Sequence, residues 1–135
     1  MPRPPSLHPT DGELEILRVL WGHGNTTLGA ICESLRRERE VATTTVATML
    51  KVMLDKGLVR RKAATRGQQW SAAITQNAAA KSMVGKLVDG VFDGSAGRLA
   101  AHLVEGGQLS TEELTELRNL IETSQVSRKG AKAQR

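Results

Sequence analysis

Residues 42–57, ATTTVATMLKVMLDKG, decide the fold, because they predict one amphipathic helix. Apolar side chains recur in it at i, i+4, i+7 and i+8, at Val46, Leu50, Met53 and Leu54. This spacing places them on one helical face, the one that turns toward a core. Gly57 is expected to end the helix, since glycine adopts the left-handed conformation found at helix C-termini.

The opposite face of this helix carries Thr44, Thr48 and Lys51, with Thr43 and Thr45 at its N-terminal end. Threonine is unfavourable inside helices, so four of them in one segment require an explanation. A threonine hydroxyl can bond a phosphate or a base edge, and its methyl can contact the thymine methyl. The pattern predicts a helix that enters the major groove of DNA at its N-terminal end. The alternative is an exposed helix face with a threonine-rich N-cap.

The segment after this helix predicts a β-hairpin. Residues 58–62 are β-prone, 65–68 have the composition of a turn, and Trp70, Ala72 and Ile74 share one face of a second strand. Five cations and no acid lie between positions 56 and 66: Lys56, Arg60, Arg61, Lys62 and Arg66. Basic side chains also protect edge strands, but a hairpin directly after a groove-facing helix favours phosphate contact.

Two more helices precede this segment. Thr10 and Glu13 fit a capping box that starts a helix over residues 11–22. Thr27 is the expected N-cap of a second helix, whose apolar positions are Leu28, Ile31, Cys32 and Leu35. The order helix, helix, helix, hairpin predicts a mainly α fold with a small β-hairpin wing, a winged helix-turn-helix domain over residues 10–75.

Residues 76–124 predict three short amphipathic helices, over 78–92, around Leu99 to Val104, and from a second capping box at Ser110 to about Thr123. Such helices make a thin core, so we expect a second copy of the chain to complete it and to form a homodimer. The alternative is that they fold back on the first domain. The expected dimerisation residues are Val84, Leu87, Val88, Val91, Leu103, Leu114, Leu117 and Ile121.

Charge changes along the chain. The formal net charge is +5, with +4 over residues 1–75, −3 over 76–124 and +4 over 125–135. A basic first domain beside an acidic second domain is typical of a protein that contacts nucleic acid at one end. The four prolines lie within residues 1–9, which predicts a disordered arm, and residues 125–135 predict a disordered basic tail.

The sequence offers no pattern for catalysis, a metal or a cofactor. Its single cysteine, Cys32, lies on an apolar helical stripe, and its three histidines are widely separated. No apolar run approaches the roughly 20 residues that span a membrane, and no leader opens the chain, so we expect a cytoplasmic protein. Besides DNA binding, two functions stay open: sensing of a small ligand between the domains, and docking of a protein partner.

Three groups of residues resemble the penicillinase repressor (BlaI/MecI) family over about residues 7–123. They are Thr10 to Leu17 with Leu20-Trp21, Thr45 to Leu50 with Lys56 to Val59, and Gln108 to Ser110 with Glu113-Leu114. The resemblance implies a homodimeric winged-helix repressor that binds palindromic double-stranded operator DNA with its third helix and dimerises through its C-terminal helices. By position, it assigns groove contacts to Thr43, Thr44, Thr45 and Thr48, and backbone or wing contacts to Lys51, Arg60, Arg61 and Arg66.

The chain departs from that family at four places, one of which is the second strand of the hairpin, where the aromatic positions are reduced to Trp70. Antibiotic-responsive members are cleaved at an Asn-Phe bond, and the cleavage-equivalent position here is His102-Leu103. The resemblance suggests a regulatory protease as a partner, but the Asn-Phe bond that such a protease cleaves in relatives is absent at this position. Copper-responsive members have a C-terminal cysteine motif, which this tail lacks. Where relatives have Gly-Arg in the wing, this chain has Gly67-Gln68 preceded by Arg66.

Overall fold

A computed structural model describes residues 8–65 and 67–133, with the side chains described up to residue 124. The elements are α1 (Asp11–His23), α2 (Leu28–Arg36), α3 (Thr43–Lys56), β1 (Val59–Ala63), β2 (Gln68–Ala72), α4 (Gln76–Val91), α5 (Ala96–Glu105) and α6 (Thr111–Ala133). They fall into two compact units, Met1–Leu87 and Val88–Arg135. The predicted order of three helices and a hairpin, followed by helices, is confirmed.

Local sequence signals set the helix ends as predicted. The Thr10 hydroxyl accepts a hydrogen bond from the Glu13 backbone N–H, and the Glu13 carboxylate accepts one from the Thr10 N–H. Thr27 caps α2 by accepting from the Ala30 N–H. Gly57 ends α3 in the left-handed conformation, with φ of 83°. These bonds satisfy backbone groups that a helix end would otherwise leave unpaired.

The core of the first unit joins one face from each of its first three helices to the base of the hairpin. The predicted stripe of α3 is buried at Val46, Leu50 and Met53, whereas Leu54 is half-buried. The other members of this core are Ile16, Leu17, Leu20, Ile31, Cys32, Leu35, Leu58, Val59 and Trp70. Cys32 is buried, which agrees with its predicted place on the apolar stripe of α2.

The hairpin is antiparallel, and its turn lies earlier than we predicted. Gln68 pairs with Ala63, so it belongs to β2 rather than to the turn. The Ala64 N–H donates to the Gly67 carbonyl at 2.9 Å, and Gly67 has φ of 75°, which a glycine adopts at little cost. Trp70 also forms an isolated antiparallel bridge with Thr26, which adds a short third segment to the hairpin.

Three predicted boundaries differ from the structure. The unit boundary lies inside α4 rather than at residue 75, since Ala79 is buried and the Ser82 hydroxyl lies 2.7 Å from His8 Nδ1 in the first unit. Pro9 is buried, so the predicted arm ends earlier; residues 1–7 lie outside the described residues. The helix α6 continues to Ala133, because residues 124–133 contain no proline and several good helix formers.

Candidate nucleic-acid interface

The exposed face of α3 carries the predicted threonines. Thr43, Thr44, Thr45 and Thr48 are all exposed, as is Lys51. Because Val46, Leu50 and Met53 on the other face have no more than 1% of their surface exposed, α3 is fixed against the core and cannot rotate. The threonines are thereby held outward, in a row that starts at the N-terminus of the helix. Their contacts with DNA stay predictions.

Two of these hydroxyls already have partners within the protein. Thr48 Oγ1 donates its proton to the Thr44 carbonyl at 2.9 Å, so this hydroxyl can only accept from an outside group while that bond persists. Thr43 Oγ1 accepts from Arg36 Nη2 at 2.7 Å. The four threonines therefore differ in the hydrogen bonds that they already make within the protein. The sequence pattern did not predict this difference.

Arg36 is a residue that the sequence interpretation missed. It lies at the end of α2, and its Nε donates to the Val41 carbonyl at 3.1 Å while its Nη2 reaches Thr43. One guanidinium thus fixes the turn between α2 and the start of α3. Arg36 is followed by Arg37 in a charged run, which gives no sequence signal for this role, because the partners of Arg36 lie beyond an irregular turn.

The hairpin register divides the predicted wing cations between two faces. Residues directly opposite each other in an antiparallel pair share a face, and neighbours along a strand alternate. Arg61 is opposite Trp70 and so lies on the core side, whereas Arg60 and Lys62 are opposite Ser71 and Gln69 on the other side. All three are exposed. Arg66 lies outside the described residues.

Lys56, counted above with the hairpin cations, has a different role. Its Nζ lies 3.0 and 2.9 Å from the two Glu13 carboxylate oxygens, and the Glu13 side chain is only 5% exposed. Burial raises the pKa of Glu13, but hydrogen bonds from Lys56 and Thr10 and the charge of Lys56 outweigh it and hold the pKa below its ordinary value. This ion pair joins the start of α1 to the end of α3, so Lys56 is a structural residue rather than a free phosphate ligand.

Most of the predicted dimerisation residues lie at the surface of a single chain. Val84, Leu87, Val91, Leu114 and Ile121 are exposed, Leu103 and Leu117 are half-buried, and Val88 is buried at 8% exposure. Val88 is therefore largely enclosed by its own chain. Val104 and Leu120, which the dimerisation list lacked, are also exposed. A role in dimerisation stays a prediction for all of these residues.

The cleavage-equivalent position lies in a helix. His102 and Leu103 are both within α5, and the His102 carbonyl accepts from the Gly106 N–H at 2.9 Å. The imidazole also packs on Phe92, with the ring centroids 5.8 Å apart. The His102-Leu103 peptide bond is therefore part of regular helical backbone.

Residues 8–65 and 67–133 contain no group of three or more His, Cys, Asp or Glu residues that could hold a metal ion. Within the same part of the chain, no helix has the length and apolar character needed to cross a membrane.

Three core helices and an antiparallel hairpin define a winged-helix protein, with α3 and the hairpin as its exposed elements. The sequence profile of the penicillinase repressor family matches residues 9–123. The chain belongs to this family of transcriptional regulators, which agrees with the expectation that it is not an enzyme. The recognised resemblance is thus confirmed.

Individual relatives match at low identity over most of the chain. The penicillinase repressor of Bacillus licheniformis is 23% identical over 113 residues, which cover 84% of this chain and 88% of that protein. The methicillin resistance regulatory protein MecI of Mammaliicoccus sciuri is 22% identical, covering 83% and 91%. Among solved structures, the B. licheniformis BlaI monomer in complex with the blaP half-operator matches with a TM-score of 0.48 and 23% identity, covering 58% of this chain and 93% of that one.

Proposed function

We propose that this chain represses transcription by binding an operator in double-stranded DNA, with α3 in the major groove and the hairpin at the backbone. The observation that carries the proposal is the exposed row of threonines on α3, held outward by a fully buried opposite face. Hydroxyl and methyl groups together suit base edges, and the exposed Lys51, Arg60, Arg61 and Lys62 suit phosphates. A repressor must reach the chromosome, so we place it in the cytoplasm.

We further propose that the repressor binds as a homodimer on a palindromic site. The support is the set of exposed apolar side chains on α4 and α6, among them Val91, Leu120 and Ile121. Burial of such side chains is worth about 25 cal/mol per Å², so a second copy of the same surface is a favourable partner. Two copies of α3 would then contact successive major grooves, about 34–36 Å apart.

The test is selection of bound fragments from the host genome with the purified protein, followed by fluorescence anisotropy against scrambled DNA at two salt concentrations. We expect a palindromic sequence that binds about a thousandfold more tightly than scrambled DNA. Equal and strongly salt-dependent binding to both DNAs would mean that the protein binds DNA only nonspecifically, through its basic surface. No binding to either DNA would contradict the proposal.

Thr48→Ala tests the base-reading role of α3. We expect it to weaken operator binding about fivefold, the effect of losing about 1 kcal/mol, while binding to scrambled DNA stays unchanged. Thr115→Ala is the matched control, because the Thr115 hydroxyl makes the same bond to a carbonyl four residues earlier, but in α6. If Thr48→Ala leaves specificity intact, the groove-facing assignment of Thr48 is wrong.

A regulatory protease acting at His102-Leu103 would face an obstacle, because proteases bind their substrates in an extended conformation. Local unfolding of α5, which has no buried residue among its ten, would have to precede cleavage. Mass spectrometry of the protein from cells under inducing conditions tests this partner. Fragments ending at His102 support it, and an intact chain during derepression argues against it.

A further inference from the structure

We propose that Lys51 of α3 and Arg61 of β1 bind one and the same backbone phosphate of the operator, in the cleft between α3 and the hairpin. The inference rests on the proposed operator binding and goes beyond it by stating which cations act as a pair. The hairpin's other described cations, Arg60 and Lys62, contribute to binding independently of this pair.

The cleft has a volume of about 500 Å³ and is open to solvent. Its lining from α3 consists of Ala47, Leu50 and Lys51, and its lining from the hairpin includes Arg61 and Trp70. Lys51 and Arg61 are the charged residues among those that the structure describes around it, one from α3 and the other from β1. An anionic group that enters the cleft therefore meets a cation from each of the two elements, among mainly apolar neighbours.

Arg61 is held in position before any DNA arrives. It pairs directly with Trp70 across the hairpin, and its guanidinium carbon lies 5.8 Å from the centre of the indole ring. Trp70 is itself fixed: it is 6% exposed, and it exchanges two backbone hydrogen bonds with Thr26, of 2.7 and 3.0 Å. A guanidinium resting on a rigid ring loses less rotational freedom on binding, and its planar fork matches phosphate oxygens. Trp70 is the positioning residue of this arrangement.

Arg60 provides a matched control one residue away. It has the same side chain and is exposed on the same strand, but it lies on the opposite face of the hairpin, across from Ser71. It does not line the cleft. Any effect of general positive charge should therefore be common to Arg60 and Arg61, whereas coupling to Lys51 should belong to Arg61 alone.

The experiment uses full-length protein and an operator fragment in which single phosphates are replaced, one position at a time, by uncharged methylphosphonates. We expect one position per half-site where the replacement weakens wild-type binding most, weakens Lys51→Ala and Arg61→Ala less because one cation remains in each, and leaves the affinity of Lys51→Ala/Arg61→Ala unchanged. Arg60→Ala should still lose affinity at that position, as the wild type does. The double variant Lys51→Ala/Arg61→Ala should lower the salt slope of the dimer by about 2, the value for one phosphate in each half-site, rather than by about 4.

The possible results distinguish an error in the shared-phosphate proposal from an error in the proposed operator binding. If Lys51→Ala and Arg61→Ala lose sensitivity at two different positions, or if Arg60→Ala loses it at the same position as Arg61→Ala, the shared phosphate is wrong while operator binding stands. If the wild type does not prefer the operator to scrambled DNA, the proposed function itself fails. Trp70→Phe should keep the paired behaviour, since a phenyl ring still supports the guanidinium.

Discussion

The two units of this chain bury their apolar side chains to very different degrees. The first unit encloses a core from its first three helices and the hairpin, with side chains such as Leu17 and Leu50 fully buried. Among the described residues of Val88–Arg135, only Val88 is buried, although Val104, Leu120 and Ile121 are as apolar as the core of the first unit. The difference indicates that the first unit is packed around its own core, and it supports the proposal that a second copy covers the apolar side chains of the second unit.

The ion pairs of the two units also differ in solvent exposure, and those of the second unit are again the more exposed. The Glu13 carboxylate in the first unit is nearly inaccessible and accepts bonds from both Lys56 and the Thr10 backbone. In the second unit, the pairs Arg98–Asp93 and Arg118–Glu122 have side chains that are 64% to 88% exposed. Exposed pairs contribute little to stability, because water and salt screen them. The first unit is thus fixed by contacts that the second lacks.

The largest expected effect is on the core of the first unit. Leu50→Ala should lower the free energy of unfolding by about 2–5 kcal/mol, because it removes a fully buried side chain and leaves a cavity. Urea titration followed by tryptophan fluorescence measures it selectively, since both tryptophans of the chain, Trp21 and Trp70, lie in the first unit.

Val52→Ala on the same helix is the control for the loss of an apolar side chain from α3. Val52 is 44% exposed, so its truncation should change stability by less than about 0.5 kcal/mol. Equal losses for Leu50→Ala and Val52→Ala would mean that the packing of α3 assigned above is wrong.

The next effect concerns the second unit. Ile121→Asp should turn a dimer into a monomer in sedimentation velocity, because an uncompensated carboxylate in an apolar contact costs about 2 kcal/mol or more. Operator affinity should fall with it, while the unfolding midpoint reported by tryptophan fluorescence should not change. Asn119→Asp is the control, since it adds the same charge at an exposed polar position of α6. A variant at Ile121 that remains dimeric would move the interface elsewhere.

The sequence predicted those features that depend on neighbouring residues. The capping box of Thr10 and Glu13, the end of α3 at Gly57 and the burial of Val46 and Leu50 all follow from spacing within one segment. The threonine row followed in the same way, since the periodicity that buries one face of α3 exposes the other.

Features that depend on distant residues were not predictable. Lys56 and Glu13 are 43 positions apart, and each has a sufficient local explanation as a surface cation or a capping residue. The division of Arg60 and Arg61 between two faces depends on the hairpin register, and a shift by one residue would reverse it. The sequence thus predicted the cations of the proposed interface, but not the face of the hairpin on which each of them lies.

The smallest expected effect is the difference in stability lost when one ion pair of each unit is removed. Glu13→Gln should lower the free energy of unfolding by about 1–3 kcal/mol at neutral pH, because Lys56 loses a buried charged partner. Glu122→Gln, which removes the exposed carboxylate of the Arg118 pair, should leave unfolding unchanged within error. Urea titration at pH 7 measures both, and equal losses would contradict the distinction between the units.

The pH dependence of the same pair of variants gives an independent check. The pKa of Glu13 is lowered in the folded protein, so its contribution is fully present above the unfolded-state pKa, about 4.3, and is lost as the pH falls through the folded-state value. The stability difference between wild type and Glu13→Gln should therefore be constant from pH 7 to about pH 5 and shrink below about pH 4. A difference that persists unchanged at lower pH would show that the glutamine disrupts packing rather than charge, because protonation of Glu13 leaves a neutral side chain in both proteins.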